Sequence, residues 1–346
     1  MSIGIGLVGT GMIANFHARA IADANGAHLV GCVSQPFEAA QEFAAKHGCA
    51  AYESLDAMLA DEKIHAVSIC TPSGIHRDPA VAAAKAGKHV FVEKPLEITT
   101  ERCDDIIKAC EDAGVKLATA FQSRFHESSR LIKQAVDQGR FGKLTMGDAY
   151  VKWYRTQEYY DSGAWRGTWE IDGGGALMNQ AIHSVDLLVW LMGPVKELHA
   201  MTDTMTHERI EVEDVAVATL RFANGAMGVI EATTTAYPGA LKRIEVMGSE
   251  GTAVLVEEDI VTWQFANETP EDDEIRERMA GKTKSGGGAA DPSAISHDGH
   301  TQMFEELVAA IDEDRPSVLN GYEGRRSVEV IRAIYESAKT GQTVRL

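Results

Sequence analysis

No stretch of this sequence approaches the roughly 18 consecutive apolar residues of a membrane span, although apolar residues make up 45% of it. The N-terminus lacks the basic-then-apolar layout of a secretion signal; a strand-like run, Ile3–Val8, comes at once. Positive charge is scarce. Against 51 Asp and Glu stand 33 Lys and Arg, a net −18. That balance argues against a general nucleic-acid binder, which needs a basic face. It leaves room for a local basic pocket that takes an anionic ligand. Cysteines are few and badly spaced for bridges: Cys32, Cys49, Cys70, Cys103 and Cys110 are odd in number, all in the first third, with no CxxC. They read as reduced, mostly buried thiols of a cytoplasmic protein. The 12 histidines lack metal-ligand spacing, and even His297 and His300, in a Gly/Asp-rich stretch, are assigned to no metal. Solenoid-period repeats are absent as well.

What is present is length and a change of pattern. A chain of 346 residues exceeds one ordinary core. Over the first 120 residues, apolar strands are predicted at 3–8, 28–33, 66–70, 89–92 and 116–119. Helices alternate with them at 12–24, 37–46, 55–60, 79–86 and 101–113. Near-continuous apolar strands between helices are the mark of a parallel sheet covered on both faces. Beyond that, a helix is predicted over 124–138 and a strand over 143–155. A glycine-rich turn then opens a helix running to Met192. Long alternating strands fill 196–265, with an Asn-Gly hairpin signal in "FANGAMG". Residues 267–297 read as a surface loop, followed by helices over 300–313 and 322–340. The expected fold is α/β: a doubly wound Rossmann domain over 1–121, then an α+β domain with a large open mixed or antiparallel sheet over 122–346.

"GLVGTGMIA" sets Gly9-x-Gly11-x-x-Ala14 between a strand and a helix. In that context Gly9 permits a tight turn and Gly11 lets backbone approach a pyrophosphate at the helix N-terminus. The second strand ends in Ser34-Gln35, without the Asp that binds ribose hydroxyls. No Arg or Lys adjoins to hold a 2′-phosphate, so the reading leans to NAD and leaves NADP open. Thr71, Ser73 and His76 follow the next strand, where strand carboxyl ends line a ligand crevice. The expected cofactor contacts are Gly9, Gly11, Met12, Ile13, Ser34, Gln35, Thr71, Ser73, His76, Glu93, Lys94 and Gln122.

"KHVFVEKPLEIT" delivers Lys94 to the same crevice, straight from a core strand. An ammonium there can stabilise an alkoxide as hydride leaves carbon. "DGGGALMNQAIHSVD" places Asn179, His183 and Asp186 at spacings that share one helical face. A histidine suits proton acceptance near neutral pH. Lys94 and His183 are the expected catalytic pair.

At "GTGMIA", "TPSGIH", "EKP" and "GGGALMNQAIH" the sequence resembles the Gfo/Idh/MocA family of NAD(P)-dependent oxidoreductases, over nearly its whole length. The resemblance implies a Rossmann domain, an open-sheet domain, and homodimers or homotetramers formed through that sheet. It implies that Lys94 contacts substrate and nicotinamide and that His183 is the acid–base group. Many members carry Asp where this chain has Asn179, and an amide can orient a hydroxyl but cannot take a proton. The stretch 150–175 is dense in cationic and aromatic residues and is similar to the branch of sugar 3-dehydrogenases. Arg124, Lys152, Tyr154, Trp165, Arg166, Asn179 and His183 are the expected substrate contacts. The implied activity is oxidation of a secondary hydroxyl of a sugar, sugar acid or nucleotide-linked sugar, or its reversal. The alternatives are a glycosidase using transient oxidation, a polyol dehydrogenase, and a non-catalytic sugar or dinucleotide sensor.

Overall fold

The computed structural model describes residues 2–281 and 297–346. The chain divides into two compact units, residues 1–122 with 296–328, and residues 123–295 with 329–346.

In the first unit six parallel strands, β1 (Ile3–Val8), β2 (Ala27–Val33), β3 (Ala50–Tyr52), β4 (Ala66–Ile69), β5 (His89–Val92) and β6 (Leu117–Thr119), lie in the order β3-β2-β1-β4-β5-β6. The strand order reverses between β1 and β4, the switch point at which such sheets bind ligands. Every residue of β1 and β4 is buried. The crossovers are α1 (Met12–Asp23), α2 (Phe37–His47), α3 (Leu55–Leu59), α4 (Arg77–Lys85) and α5 (Thr100–Ala113). Their ends obey local chemistry. Thr99 Oγ1 accepts the Arg102 N–H at the start of α5, and Gly114, at φ 66°, closes it. The sequence reading lacked β3, a three-residue Ala-Ala-Tyr run too short to show a period.

The second unit opens with α6 (Glu127–Asp137), β7 (Leu144–Lys152) and α7 (Gln157–Asp161), and continues through α8 (Ile182–Met192). Strands β8 (Val195–Asp203), β9 (Val215–Phe222), β10 (Met227–Thr233), β11 (Arg243–Gly248), β12 (Gly251–Val256) and β13 (Asp259–Phe265) follow. With β14 (Val344–Arg345) they form an eight-stranded sheet, order β13-β12-β11-β7-β10-β9-β8-β14. All its pairings are antiparallel except β7 with β10. Alternate residues of β9 are buried, as a half-covered sheet requires. The hairpin at Asn224-Gly225 forms as expected, with Gly225 at φ 91°.

Of the surface loop expected over 267–297, Pro270–Met279 is a helix, α9, and residues 282–296 lie outside the described residues. The signal was in the chain: Thr269 and Asp272 form a reciprocal capping box with Pro270 at the first helical position. Two helices end the chain, α10 (Asp298–Asp312) and α11 (Gly321–Thr340). The sequence reading gave all of 122–346 to one domain, whereas α10 packs on α1 and groups with the first unit. Phe304 stacks on Phe91 at 4.7 Å in that contact. Among the described residues no helix is long and apolar enough to cross a membrane.

Candidate active site

The glycine turn of the first unit is shaped for an anion. Gly9 sits at φ 94°, and a Cβ there would come within 2.9 Å of the Cys70 carbonyl oxygen. Gly11 is different: a Cβ on it would meet nothing within 4 Å. Packing therefore does not demand this glycine, and the open space in front of it fits a ligand's close approach. The start of α1 has no side-chain cap and no acid in its first turn, so its N–H groups and dipole face that space. Gln122 adds a buried side-chain oxygen with no hydrogen-bond partner, an acceptor suited to a ligand amide. The residues present fit a dinucleotide. Met12 and Gln35 are exposed, and Ile13, Ser34 and Thr71 are half-exposed.

Three expected cofactor contacts, His76, Ser73 and Glu93, are buried. His76 is 1% exposed, with Nδ1 2.9 Å from the Pro95 carbonyl oxygen and Nε2 2.9 Å from that of Thr71. Both ring nitrogens are engaged with backbone, so His76 ties the end of β4 to the turn after β5. Ser73 is buried beside it. Glu93 is also buried, its Oε1 2.8 Å from His17 Nε2 and 3.4 Å from His300 Nε2. Burial pushes its carboxyl up, but the hydrogen bonds from the two histidines outweigh that and hold it well below the usual carboxylate range. Burial in turn pulls His17 down, which favours the neutral ring donating from Nε2 and accepting at Nδ1 from Ser68 Oγ, 2.7 Å away. These three ligand-type atoms lie within 4.8 Å of one another. Two atoms bound to one zinc stand about 3.3 Å apart, whereas the 2.8 Å contact is a hydrogen bond. Sequence reasoning missed His17 and His300 because their partner is more than 75 residues from each.

Lys94 follows directly. From Val90 to Ile98 every residue is buried except Lys94. The Lys94–Pro95 peptide bond is cis.

The second unit repeats the device. From Asp172 to Val189 every residue is buried except Asn179 and His183. The helix expected over this stretch is divided: Ala176–Ala181 is a π-helical turn, and α8 begins after it. Its start is held by a residue absent from the sequence reading. Glu213 accepts the Gly175 N–H at 2.9 Å, the Leu177 N–H at 2.8 Å and the Tyr335 hydroxyl at 3.0 Å. Gly175 is obligatory, since a Cβ would fall 1.8 Å from the Glu213 carbonyl oxygen.

Burial pushes the Glu213 carboxyl up to about 7, against the pull of those backbone N–H groups. The folded chain thus keeps a proton that the unfolded chain releases near 4.5. The stability this contributes is complete below 4.5 and is lost as pH rises through about 7. The shift corresponds to about 3 kcal/mol. Glu213→Gln removes the ionisation and one acceptor. Denaturant unfolding of the variant should show a loss of about 1–3 kcal/mol at pH 5. It should also show no further decline to pH 8, where wild type declines; parallel curves would refute the assignment.

Around Asn179 the side chains form a closed network. Its Nδ2 donates to Asp172 Oδ1, and its Oδ1 accepts from Gln180 Nε2 at 2.7 Å. Gln180 Nε2 also donates to Tyr159 Oη at 2.8 Å, as does Arg166 Nη1 at 2.8 Å. The Arg166 guanidinium lies 4.4 Å from the Tyr159 ring centroid and 4.5 Å from that of Trp165, a cation between two aromatic rings. The Asn in place of an acid has a local reason: an aspartate here would set two carboxylates against each other at Asp172.

Three expected substrate contacts have side-chain partners of their own. Arg124 is 6% exposed and commits its guanidinium to Asp186, Nε to Oδ2 at 2.8 Å and Nη2 to Oδ1 at 2.6 Å. The Asp186 that spacing placed on one face with Asn179 and His183 is thus its buried partner. Lys152 pairs with Glu231 at 2.7 Å. Gly147, Ala149 and Val151 of β7 are buried on the side where Gly147 meets Met192 of α8, so Lys152, one residue out of phase, points to the opposite face. Tyr154 packs edge-on against Tyr237, which is 82% exposed.

A doubly wound sheet with an open glycine turn, joined to a large mixed sheet, defines a dinucleotide-dependent oxidoreductase. The comparisons with known proteins agree. Residues 3–121 match the oxidoreductase family with NAD-binding Rossmann fold, and residues 129–254 match the GFO/IDH/MocA C-terminal domain. Myo-inositol 2-dehydrogenase of Thermotoga maritima is 31% identical over 71% of this chain and 73% of its own. Inositol 2-dehydrogenase of Rhizobium meliloti is 31% identical over 77% and 79%. The WlbA dehydrogenase from Bordetella pertussis, in a crystal structure with NADH and UDP-GlcNAcA, is 38% identical with a TM-score of 0.89, covering 100% of this chain and 99% of that one. The chain belongs to the GFO/IDH/MocA oxidoreductase family. It is an NAD(P)-dependent enzyme acting on CH–OH groups of the sugar class.

Proposed function

We propose that the protein oxidises a secondary hydroxyl of a nucleotide-linked sugar acid of the UDP-GlcNAcA kind, with NAD as the preferred dinucleotide. The observation that carries this reading is exposure: Lys94 on one unit, and His183 with Asn179 on the other, are the openings in otherwise buried runs. Polar side chains that open an otherwise buried run are placed where a ligand can meet them. In this mechanism His183 accepts the hydroxyl proton. The Lys94 ammonium stabilises negative charge as it grows on a substrate oxygen. Asn179, immobilised by Asp172 and Gln180, orients a neighbouring hydroxyl. The dinucleotide, when bound at Gly9, Gly11 and the start of α1, supplies the hydride acceptor at nicotinamide C4.

Two features support the acid. Arg166 presents a guanidinium stacked on aromatic rings and linked to Asn179 through Tyr159 and Gln180. The planar fork suits a carboxylate. The B. pertussis relative was crystallised with such a sugar acid. For the dinucleotide, Ser34 brings no cation to hold a 2′-phosphate.

A panel of UDP-GlcNAcA, UDP-GlcNAc, free uronic acids and myo-inositol, each with NAD and with NADP, tests the proposal. UDP-GlcNAcA with NAD should give a kcat/KM at least about 100-fold above the neutral UDP-sugar, and Arg166→Met should remove most of that margin by raising KM. Faster turnover of myo-inositol, as the inositol dehydrogenase relatives would suggest, would sink the nucleotide-sugar reading. Self-association through the open face of the second sheet is part of the same proposal. Met146 and Met227, paired across β7 and β10, are 41% and 50% exposed there, and Met201 is 70% exposed.

A further inference from the structure

The carboxylate beside Lys94 is harder to explain than the lysine. Glu93 lies in apolar surroundings, where the His17 ring packs edge-on against Phe91 at 5.5 Å and Phe304 at 5.4 Å. A buried charge in such a place is costly, and an apolar residue of similar size would pack there at less cost. What the charge contributes is direction. One oxygen, Oε1, takes His17 and His300; the other, Oε2, accepts the backbone N–H of Lys94 at 3.0 Å. Four elements meet at this point: Ser68 of β4 fixes His17 of α1, α10 brings His300, and the carboxylate ends β5. Beyond Lys94, His76 holds the Pro95 carbonyl at 2.9 Å. The peptide that carries Lys94 is therefore gripped on both sides.

We propose that Glu93, clamped by His17 and His300, is a positioning residue that fixes the Lys94 peptide so that its ammonium is aimed at the substrate oxygen. The proposal rests on the role given to Lys94 above. Glutamine can replace the carboxylate in this role. Its carbonyl oxygen can keep the Lys94 N–H, while its amide donates to His17 Nε2 after the ring moves its proton to Nδ1, where Ser68 Oγ accepts. Leucine can do neither.

The test compares wild type, Glu93→Leu, Glu93→Gln and Lys94→Ala. The first readout needs no substrate: carbon-13 dimethylation of the lysines, with the Lys94 resonance assigned by its loss in Lys94→Ala. In Glu93→Leu that resonance should move to the position of the exposed lysines, and in Glu93→Gln it should stay. The second readout is kinetic, with NAD and UDP-GlcNAcA. Glu93→Leu should lose about 30-fold or more in kcat, with KM and NADH affinity within about three-fold, and Glu93→Gln should recover most of it. A merely structural residue would lower the melting temperature and leave the resonance and the kcat of folded enzyme unmoved. An unmoved resonance or a wild-type kcat in Glu93→Leu overturns the proposal. Should Glu93→Leu not fold, the same readouts on His17→Asn and His300→Asn decide it. Wild-type turnover in Lys94→Ala would instead overturn the lysine's own role, an outcome separate from failure of the brace.

Discussion

Lys94→Ala should lower the rate of hydride transfer by about 10²–10³-fold, the usual cost of removing one donor aimed at a developing oxyanion. NADH affinity should stay within about two-fold, because the groups that fit the dinucleotide are the turn at Gly9 and Gly11 and the uncapped start of α1. The split follows from position. Lys94 is the single half-exposed side chain between Val90 and Ile98, so its loss leaves the strand and its neighbours packed. Stopped-flow absorbance of the nicotinamide measures the first quantity, and a fluorescence titration with NADH the second. A wild-type transient in the variant would remove the ammonium from the chemistry. A comparable loss of NADH affinity would instead make Lys94 a binding residue.

His183→Asn should cost about 10²–10⁴-fold in kcat, the range for a lost general base. The sign of its pH effect is fixed by the direction of reaction. In oxidation the imidazole must be neutral to accept the hydroxyl proton, so wild-type kcat/KM rises with pH through the ionisation of that ring. The asparagine variant keeps a polar group of similar reach but has nothing to titrate, and its profile should be flat over the same interval. Asp172, the acid beside Asn179, already accepts from that amide and from the Gly167 N–H. A variant that retains the wild-type pH limb would place the base elsewhere.

How far the residues announced this can be followed position by position. β1, β2, β4, β5 and β6 were legible because buried parallel strands are nearly all apolar. The glycine turn was legible because its spacing lies within 6 residues of one loop, Gly9 to Ala14. Lys94 was singled out as a charge closing an apolar strand, and His183 by its helical spacing from Asn179 and Asp186 after a glycine-rich turn. The misses share a cause. His17, His300 and Glu213 act through partners far away in the chain, and one sequence carries no signal of such pairs. The Arg124–Asp186 pair was hidden for the same reason: only the fold brings the two together. The face that Lys152 takes was not legible, since a strand's residues alternate faces and the predicted strand 143–155 did not say which face α8 covers. The π-helical turn at Ala176–Ala181 is invisible to a reading built on a 3.6-residue period.

The position of β7 in the second sheet has a consequence for synthesis. This strand is the first of its unit to leave the ribosome, yet its neighbours are β10 on one side and β11 on the other. Both its ladders stay open until β10 (Met227–Thr233) emerges, and one of them until β11 (Arg243–Gly248) does. Sequence-distant pairing of this kind delays collapse and leaves a nascent strand with two sticky edges. Growing chains are thus most vulnerable to misassociation on crowded polysomes after β1–β6 have been translated and before α10 is, and that interval is where a holdase chaperone would find its binding segment.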